Sequence, residues 1–245
     1  MEHALTAAAL LDIWERGRSQ PPVERTLSLL ALATGPETPS PPARISIGQR
    51  DAKLLKLREL VFGPRLTGQT DCPACRRPVE MDFAVSDVCD TAAIERPETG
   101  QARFGDLELQ FRPPHSDDLD SLPAQAGLAA QKRALMERCV TKASRDGEQV
   151  PVGELPDDLV DALSERLAEL DPGGDLQLAL TCPHCGQNWR APLDIVTFLW
   201  AELDAWAVRV LREVHVLASA YGWRESDVLA MSPCRRQAYL EMIQP

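Results

Sequence analysis

Residues 192–223 read PLDIVTFLWAELDAWAVRVLREVHVLASAYGW, and residues 225–243 read ESDVLAMSPCRRQAYLEMI. In the first segment Val196, Leu203, Val210 and Leu217 recur seven apart. A second row, Trp200, Ala207, Val214 and Tyr221, lies four residues on, and Leu199 and Trp206 widen the stripe. Glu202, Asp204, Arg209, Arg212 and Glu213 fall mostly on the other side. This spacing predicts one long amphipathic helix with a wide buried face. Asp194 is placed to accept from the open N–H groups of the first turn, and Leu193 and Phe198 to clip the start as a hydrophobic staple. Gly222 suits the left-handed residue that ends a helix, with Trp223 folding back on the last turn. Glu225 to Met231 then reads as a short helix. Ser232-Pro233 reads as the N-cap and first position of a final helix, Cys234 to Ile243. Residues 193–245 are therefore expected to form a C-terminal helical hairpin.

Immediately before the long helix stands Leu176-Gln177-Leu178-Ala179-Leu180-Thr181-Cys182-Pro183-His184-Cys185-Gly186-Gln187-Asn188-Trp189. This is a strand-like run, a turn, and a second strand-like start. Far upstream, Asp71-Cys72-Pro73-Ala74-Cys75-Arg76-Arg77-Pro78 precedes the alternating run Val79-Glu80-Met81-Asp82-Phe83. Each C-x-x-C turn alone is a weak signal. Two of them, each beside a strand, are stronger, because four thiolates from two such turns make a closed tetrahedral zinc site. The long separation of the pairs is no obstacle, since loop closure entropy grows only logarithmically with length. Cys72, Cys75, Cys182 and Cys185 are the expected ligands of one structural Zn2+. The other readings are two separate redox-type pairs, or a site that has lost its metal. A thioredoxin-type role is disfavoured, since neither pair opens a helix after a strand. His184 sits between two ligands and could replace one of them, but is expected to point outward. Cys89, Cys139 and Cys234 have no partner spacing and read as buried or incidental thiols.

The remaining chain is arranged around these halves. Leu5 to Trp14 and Pro22 to Ala33 read as two short helices, with polar connections at Arg16 to Pro21 and Gly35 to Pro42. Ile45 and Ile47 read as a short strand. Asp51 to Phe62 reads as a basic amphipathic helix, with Leu54, Leu57 and Val61 on one side and Lys53, Lys56 and Arg58 interleaved. Between the cysteine pairs, Gly105 to Arg112 alternates as a strand. Asp117 to Leu122 is a helix start, and Ala124 to Val140 a fuller helix with Leu128, Leu135 and Met136 inward. Ser144 to Gly153 reads as loop. Pro156 to Leu170 is amphipathic, with Leu159, Leu163, Leu167 and Leu170 on one face. The expected organisation is an N-terminal helical region over 1–66 and a zinc ribbon in two halves, 67–85 and 174–192. An acidic mixed α/β insertion spans 86–173, and the helical hairpin follows. The fold class is α+β and mostly helical.

Charge narrows the function classes. The formal net charge is −11 over 245 residues, and residues 86–170 carry 9 Lys and Arg against 18 Asp and Glu. Such an acidic chain lacks the basic footprint of a generic nucleic-acid binder. No run approaches the roughly 20 apolar residues of a membrane span. Met1-Glu2-His3-Ala4 lacks a basic leader, and seven cysteines in an odd set fit thiols and metal in a reducing compartment. A cytoplasmic protein is expected. The sequence carries no phosphate loop, nucleophile elbow or metal-hydrolase His pair, so no enzyme is expected. Asp117, Asp118 and Asp120 lack the Gly and distal Glu of a calcium loop and read as an acidic helix N-terminus.

The run Glu213-Val214-His215, the Tyr221-Gly222-Trp223 turn, Asp227 to Pro233 and Arg235-Arg236-Gln237-Ala238-Tyr239-Leu240 resembles assembly proteins of long phage tails. Within these it is similar to the baseplate hub assembly chaperone family of T-even-type contractile tails and related contractile injection systems. Members of that family also place a Cys-Pro-x-Cys pair before the long helix, as Cys182 to Cys185 do here. The resemblance is specific over Thr181 to Leu240; Arg224 departs from it, standing where Ser or Thr would cap the short helix. It implies a non-enzymatic assembly factor or minor component of a baseplate, with hub, spike or tape-measure proteins as partners, cytoplasmic or incorporated in a particle. Tyr221, Trp223, Arg235, Arg236 and Tyr239 are the residue types enriched at binding hot spots and are the candidate partner surface. The alternative, resting on the cysteine pairs alone, is a zinc-ribbon nucleic-acid-binding or transcription accessory protein. A basic face around Arg76, Arg77 and Arg190 would favour it, and the acidic middle opposes it.

Overall fold

In the computed structural model the described residues are 6–34, 44–89, 98–123, 125–151 and 156–243. The expected connection over Gly35 to Pro42 and part of the expected loop over Ser144 to Gly153 lie outside them. The chain divides into two compact units, residues 1–35 with 195–245, and residues 36–194. The sequence grouping of 1–66 as one region thus spans both: the first two helices belong with the C-terminal ones, and the third belongs to the other unit.

The first unit begins with α1 (Ala7–Gly17), whose N-cap Thr6 accepts from the Ala9 N–H, and α2 (Pro22–Thr34). In the second unit α3 (Ile47–Phe62) starts where a strand at Ile45 and Ile47 was expected. The reason is a capping box: Ser46 accepts from the Gln49 N–H while the Gln49 side chain reaches back to the Ser46 N–H. Ser46 makes only an isolated bridge to His115. Leu54, Leu55 and Leu57 are buried, and so is Arg58, which donates to the Gly63 carbonyl at 2.6 Å and belongs to the helix end rather than to an exposed basic face.

Two antiparallel strands follow, β1 (Arg65–Asp71) and β2 (Pro78–Ala84). Next come β3 (Gly100–Phe104) and β4 (Leu107–Phe111), then α4 (Ser116–Asp120), α5 (Leu128–Cys139), β5 (Val140–Arg145) and β6 (Glu148–Gln149). These four strands form an antiparallel sheet in the order β3-β4-β5-β6. The expected loop from Ser144 is instead a hairpin. Its turn is Asp146-Gly147, with φ of 51° and 88°, the left-handed pair that two-residue hairpins require. Leu107, Leu109 and Phe111 alternate inward from β4, as the sequence pattern predicts. They pack with Val140 and Ala143, with Met136 and Cys139 of α5, and with Leu159, Val160, Leu163 and Leu167 of α6 (Asp157–Leu170). Leu128, expected inward, opens α5 and is 83% exposed.

The second unit closes with β7 (Gln177–Thr181) and β8 (Asn188–Pro192), again an antiparallel pair. The chain then returns to the first unit as α7 (Ile195–Tyr221), α8 (Glu225–Leu229) and α9 (Pro233–Ile243). The 27 residues of α7 bury Ile195, Leu199, Leu203, Ala207, Val210, Val214 and Leu217. The stripe is the expected one turned slightly, with Val196 and Trp200 half-buried at its edge and Tyr221 exposed. α1 lies along it: the Trp14 indole donates to Asp204 at 2.8 Å, and Gly17 leaves room for the Trp200 ring. Gly222 ends α7 at φ 67°, its N–H donating to the Ala218 carbonyl. Ser232 caps α9 through the Arg235 N–H at 3.3 Å.

Candidate metal centre

The two cysteine turns are built alike. In the first hairpin Asp71 pairs with Pro78, so residues 72–77 form the loop. In the second, Thr181 pairs with Asn188, so residues 182–187 do. The Cys72 N–H donates to the Arg77 carbonyl at 2.9 Å, and the Cys182 N–H to the Gln187 carbonyl at 2.8 Å. The Arg76 N–H returns to the Cys72 carbonyl, and the Gly186 N–H to the Cys182 carbonyl, at 2.9 and 3.0 Å. Arg76 and Gly186 hold equivalent left-handed conformations, φ 58° and 74°. These bonds fold each turn so that both of its sulfurs face one point.

The turns meet. The four Sγ atoms of Cys72, Cys75, Cys182 and Cys185 all lie within 4.8 Å of one another. Cys72 and Cys185 are 3.7 Å apart, as are Cys75 and Cys182, so the first cysteine of each turn faces the second of the other. Sulfurs at the corners of a tetrahedron with Zn–S bonds of ~2.3 Å would stand ~3.8 Å apart. A disulfide needs ~2.05 Å, and all four thiols are free. Cys72 and Cys182 are buried over Val79, with Cys75 and Trp189 packed beside them, while Cys185 is exposed. The donor set and spacing fit a closed four-thiolate site for a soft or borderline divalent cation.

The electrostatics agree with that need. Burial opposes charge on the Cys182 thiol, yet the N–H groups of His184 and Cys185 and the thiols of Cys185 and Cys72 outweigh it and hold its pKa at about 7. The Gln187 N–H favours the Cys185 thiolate, but burial and hydrogen bonds with the other three thiols push it up to about 12. A bound cation would favour the thiolate form of its cysteine ligands. His184 stays out of the cluster; its Nδ1 lies 3.5 Å from the Arg77 guanidinium on the exposed rim.

The other candidate residues fall differently. Tyr221 and Trp223 stack with centroids 4.4 Å apart, and Tyr239 meets both edge-on, so the three rings form one closed cluster where α7, α8 and α9 meet. Arg235 is exposed and its guanidinium lies 5.8 Å from the Tyr239 ring centroid. Arg236 corrects the sequence expectation: it is 3% exposed, bonded to Glu213 at 2.9 Å and to the Met231 carbonyl at 2.8 Å. It ties α9 to α7 and offers no surface to a partner. Its counter-ion Glu213, 23 residues away, had no marker in the sequence.

Of the remaining polar groups, Asp118 binds Arg112 through both oxygens at 2.6 and 2.9 Å and accepts from the His115 N–H, in keeping with an acidic helix start. The Cys139 thiol is buried, and burial pushes its pKa up to about 12, the environment of a packed side chain.

Mixed α/β architecture with a four-cysteine cluster in two distant turns defines the class of protein. The chain belongs to the family described as T4 bacteriophage base plate protein, whose model matches residues 28–200, well over half of the chain. The match overlaps the first third of the segment that carries the sequence resemblance, Thr181 to Leu240. Comparison with curated proteins and with solved structures finds no match. No helix among the described residues is long and apolar enough to cross a membrane.

Proposed function

We propose that this chain is a non-enzymatic assembly factor, acting as a chaperone, or a minor structural component, of a phage-tail-like baseplate hub. Membership of the baseplate family carries the reading. The similarity of residues 181–240 to hub assembly chaperones supports the finer role, and hub, spike or tape-measure proteins are the proposed partners. One structural zinc ion at Cys72, Cys75, Cys182 and Cys185 is proposed to join the two cysteine hairpins into a zinc ribbon. Such an ion would clamp segments more than a hundred residues apart, which neither two-stranded hairpin could hold by its own core. The proposed partner surface on the helical unit is the outer edge of the aromatic cluster, Tyr221, Trp223 and Tyr239 with Arg235.

Complementation tests this reading. Loss of the gene from its phage or injection-system operon is expected to give tails without complete baseplates, visible by particle imaging, and restoration of the chain to rescue them. Normal particles without the chain would overturn the assembly role. Its presence in purified particles separates a component from a factor that leaves.

A further inference from the structure

The first cysteine turn carries two exposed arginines in an otherwise acidic chain, with Asp71 the one acid at its base. Arg76 and Arg77 project from one turn, and Arg190 stands on β8 two residues beyond the start of the strand after the other. All three are exposed. Residues 177–192 contain no Asp or Glu. Several cations elsewhere in the same unit are paired with carboxylates: Arg65 with Asp82, Arg112 with Asp118, Arg145 with Asp106, Arg166 with Glu169. Among the described residues Arg76 and Arg190 form no ion pair, and Arg77 meets the His184 ring rather than a carboxylate. In a chain of net charge −11, Arg76 and Arg77 of the first turn and Arg190 of β8 stand exposed without a carboxylate partner among the described residues.

Arg76 adds an independent observation. It holds φ 58° at the position where the matching turn uses Gly186. Side chains with a Cβ rarely adopt this conformation, and glycine would adopt it freely. Arg76 thus places a basic side chain at the tip in a conformation that glycine adopts more readily.

We propose that this tip docks a carboxylate-rich segment of a partner protein, with Arg76 and Arg77 as the contacts. A nucleic acid fits less well. Its extended charge would meet the field of the acidic remainder of the chain, whereas a local cluster of carboxylates meets the tip alone. Arginine suits this role because its planar fork binds carboxylates through two parallel hydrogen bonds. A zinc tetrathiolate is formally a dianion, so the same arginines also lie near a negative centre, and the test must separate docking from support of the metal. The inference names a partner chemistry for the assembly role proposed above and rests on that role for its biological meaning.

The probe is a fluorescein-labelled octaglutamate peptide, read by anisotropy against the zinc-loaded full chain at low and at physiological ionic strength. An oligothymidylate of equal charge is the comparison. The parent is expected to bind octaglutamate in preference, more weakly as salt rises. Arg76→Gly is expected to keep its zinc, to melt no lower than the parent, and to weaken peptide binding about threefold to fivefold, the worth of one surface charge contact. Adding Arg77→Gln weakens it further. No peptide binding, preference for the oligothymidylate, unchanged binding in both variants, or loss of zinc from Arg76→Gly would each overturn the proposal. These outcomes are distinct from failure of the assembly role: a chain that rescues baseplates yet ignores the peptide removes this surface alone.

Discussion

The carboxylate of Asp171 accepts a hydrogen bond of 2.8 Å from the Gly48 N–H, joining the start of α3 to the turn after α6 across 123 positions of sequence. The first turn of a helix leaves its N–H groups unpaired. Here Ile47 donates to the Pro114 carbonyl, Gly48 to Asp171 and Gln49 to Ser46. The acid is buried, and it sits where the partial positive charge of the helix N-terminus favours it.

Gly48 is needed for this approach. A Cβ at that position would meet the Asp171 carboxylate and come within 2.9 Å of the Gly173 backbone. Gly48→Ala should lower unfolding free energy by about 1–3 kcal/mol, as overpacking does. Asp171→Ala should cost about 1–2 kcal/mol through the lost cap. Denaturant melts of both single variants and the double would show less than the sum, because the alanine at 171 removes the nearer of the two obstacles and leaves the Gly173 backbone. Full additivity, or a neutral Gly48→Ala, would refute the close approach.

The metal prediction concerns the whole second unit. Cys72→Ser or Cys182→Ser should give protein that is insoluble or readily cleaved by protease, because structural zinc contributes roughly 10–16 kcal/mol of apparent binding energy to folding. Elemental analysis of the purified parent should find near one zinc per chain. A strong chelator should lower its melting temperature. Metal-free parent with unchanged melting would remove zinc from the account.

How far these features were legible depended on the kind of signal. Cys72, Cys75, Cys182 and Cys185 stood out because ligand type and two-residue spacing are written locally; their meeting across 107 and 113 positions was an inference from chemistry. The α7 stripe was legible because seven buried positions repeat at helical spacing. β1 was not read, since among its residues Arg65 to Asp71 only Leu66 is apolar and buried, and its strand state comes from pairing with β2. β3 is similar, its Gly100 giving room to the Phe111 ring. Two markers are present in the sequence and outweighed by their neighbours: the Ser46/Gln49 capping box, beside the strand-like Ile45 and Ile47, and Asp146-Gly147, within the loop-like run from Ser144 to Gly153. The burial of Arg236 had no local marker, because it depends on a carboxylate one helix away.

Acid should act on the Arg112–Asp118 pair. Burial opposes the Asp118 carboxylate, but Arg112 and the His115 N–H outweigh it and hold its pKa below the usual carboxylate value. The folded carboxyl is thus more acidic than the unfolded one. Its stability is fully present above an unfolded pKa of ~3.9 and is lost as pH falls through the folded value. Burial, with Arg112, also lowers the His115 pKa, so protonation below about 6.5 favours the unfolded chain in the same direction. Asp118→Asn should melt below the parent at neutral pH, with the gap closing as pH falls below about 4. Zinc content must be followed in parallel, since acid also protonates the thiolates. A gap that stays constant into acid would show that the pair contributes no pH-linked stability.

The last prediction separates the two adjacent arginines of α9. Arg235 is exposed over Tyr239, and Arg236 is enclosed between Glu213 and the Met231 carbonyl. Removing one partner of a buried ion pair leaves the other uncompensated, typically at about 3–5 kcal/mol. Arg236→Ala should therefore lower the stability of the helical unit by that order and loosen α9 from α7, with any loss of assembly following from unfolding. Arg235→Glu reverses charge at the surface and should leave thermal melting and zinc content near those of the parent. If the aromatic edge is the partner surface, Arg235→Glu alone should block rescue of baseplate assembly in a strain lacking the chain. Normal particles from Arg235→Glu would remove Arg235 from that surface. A large fall in its melting temperature would instead make the cation over Tyr239 a structural contact.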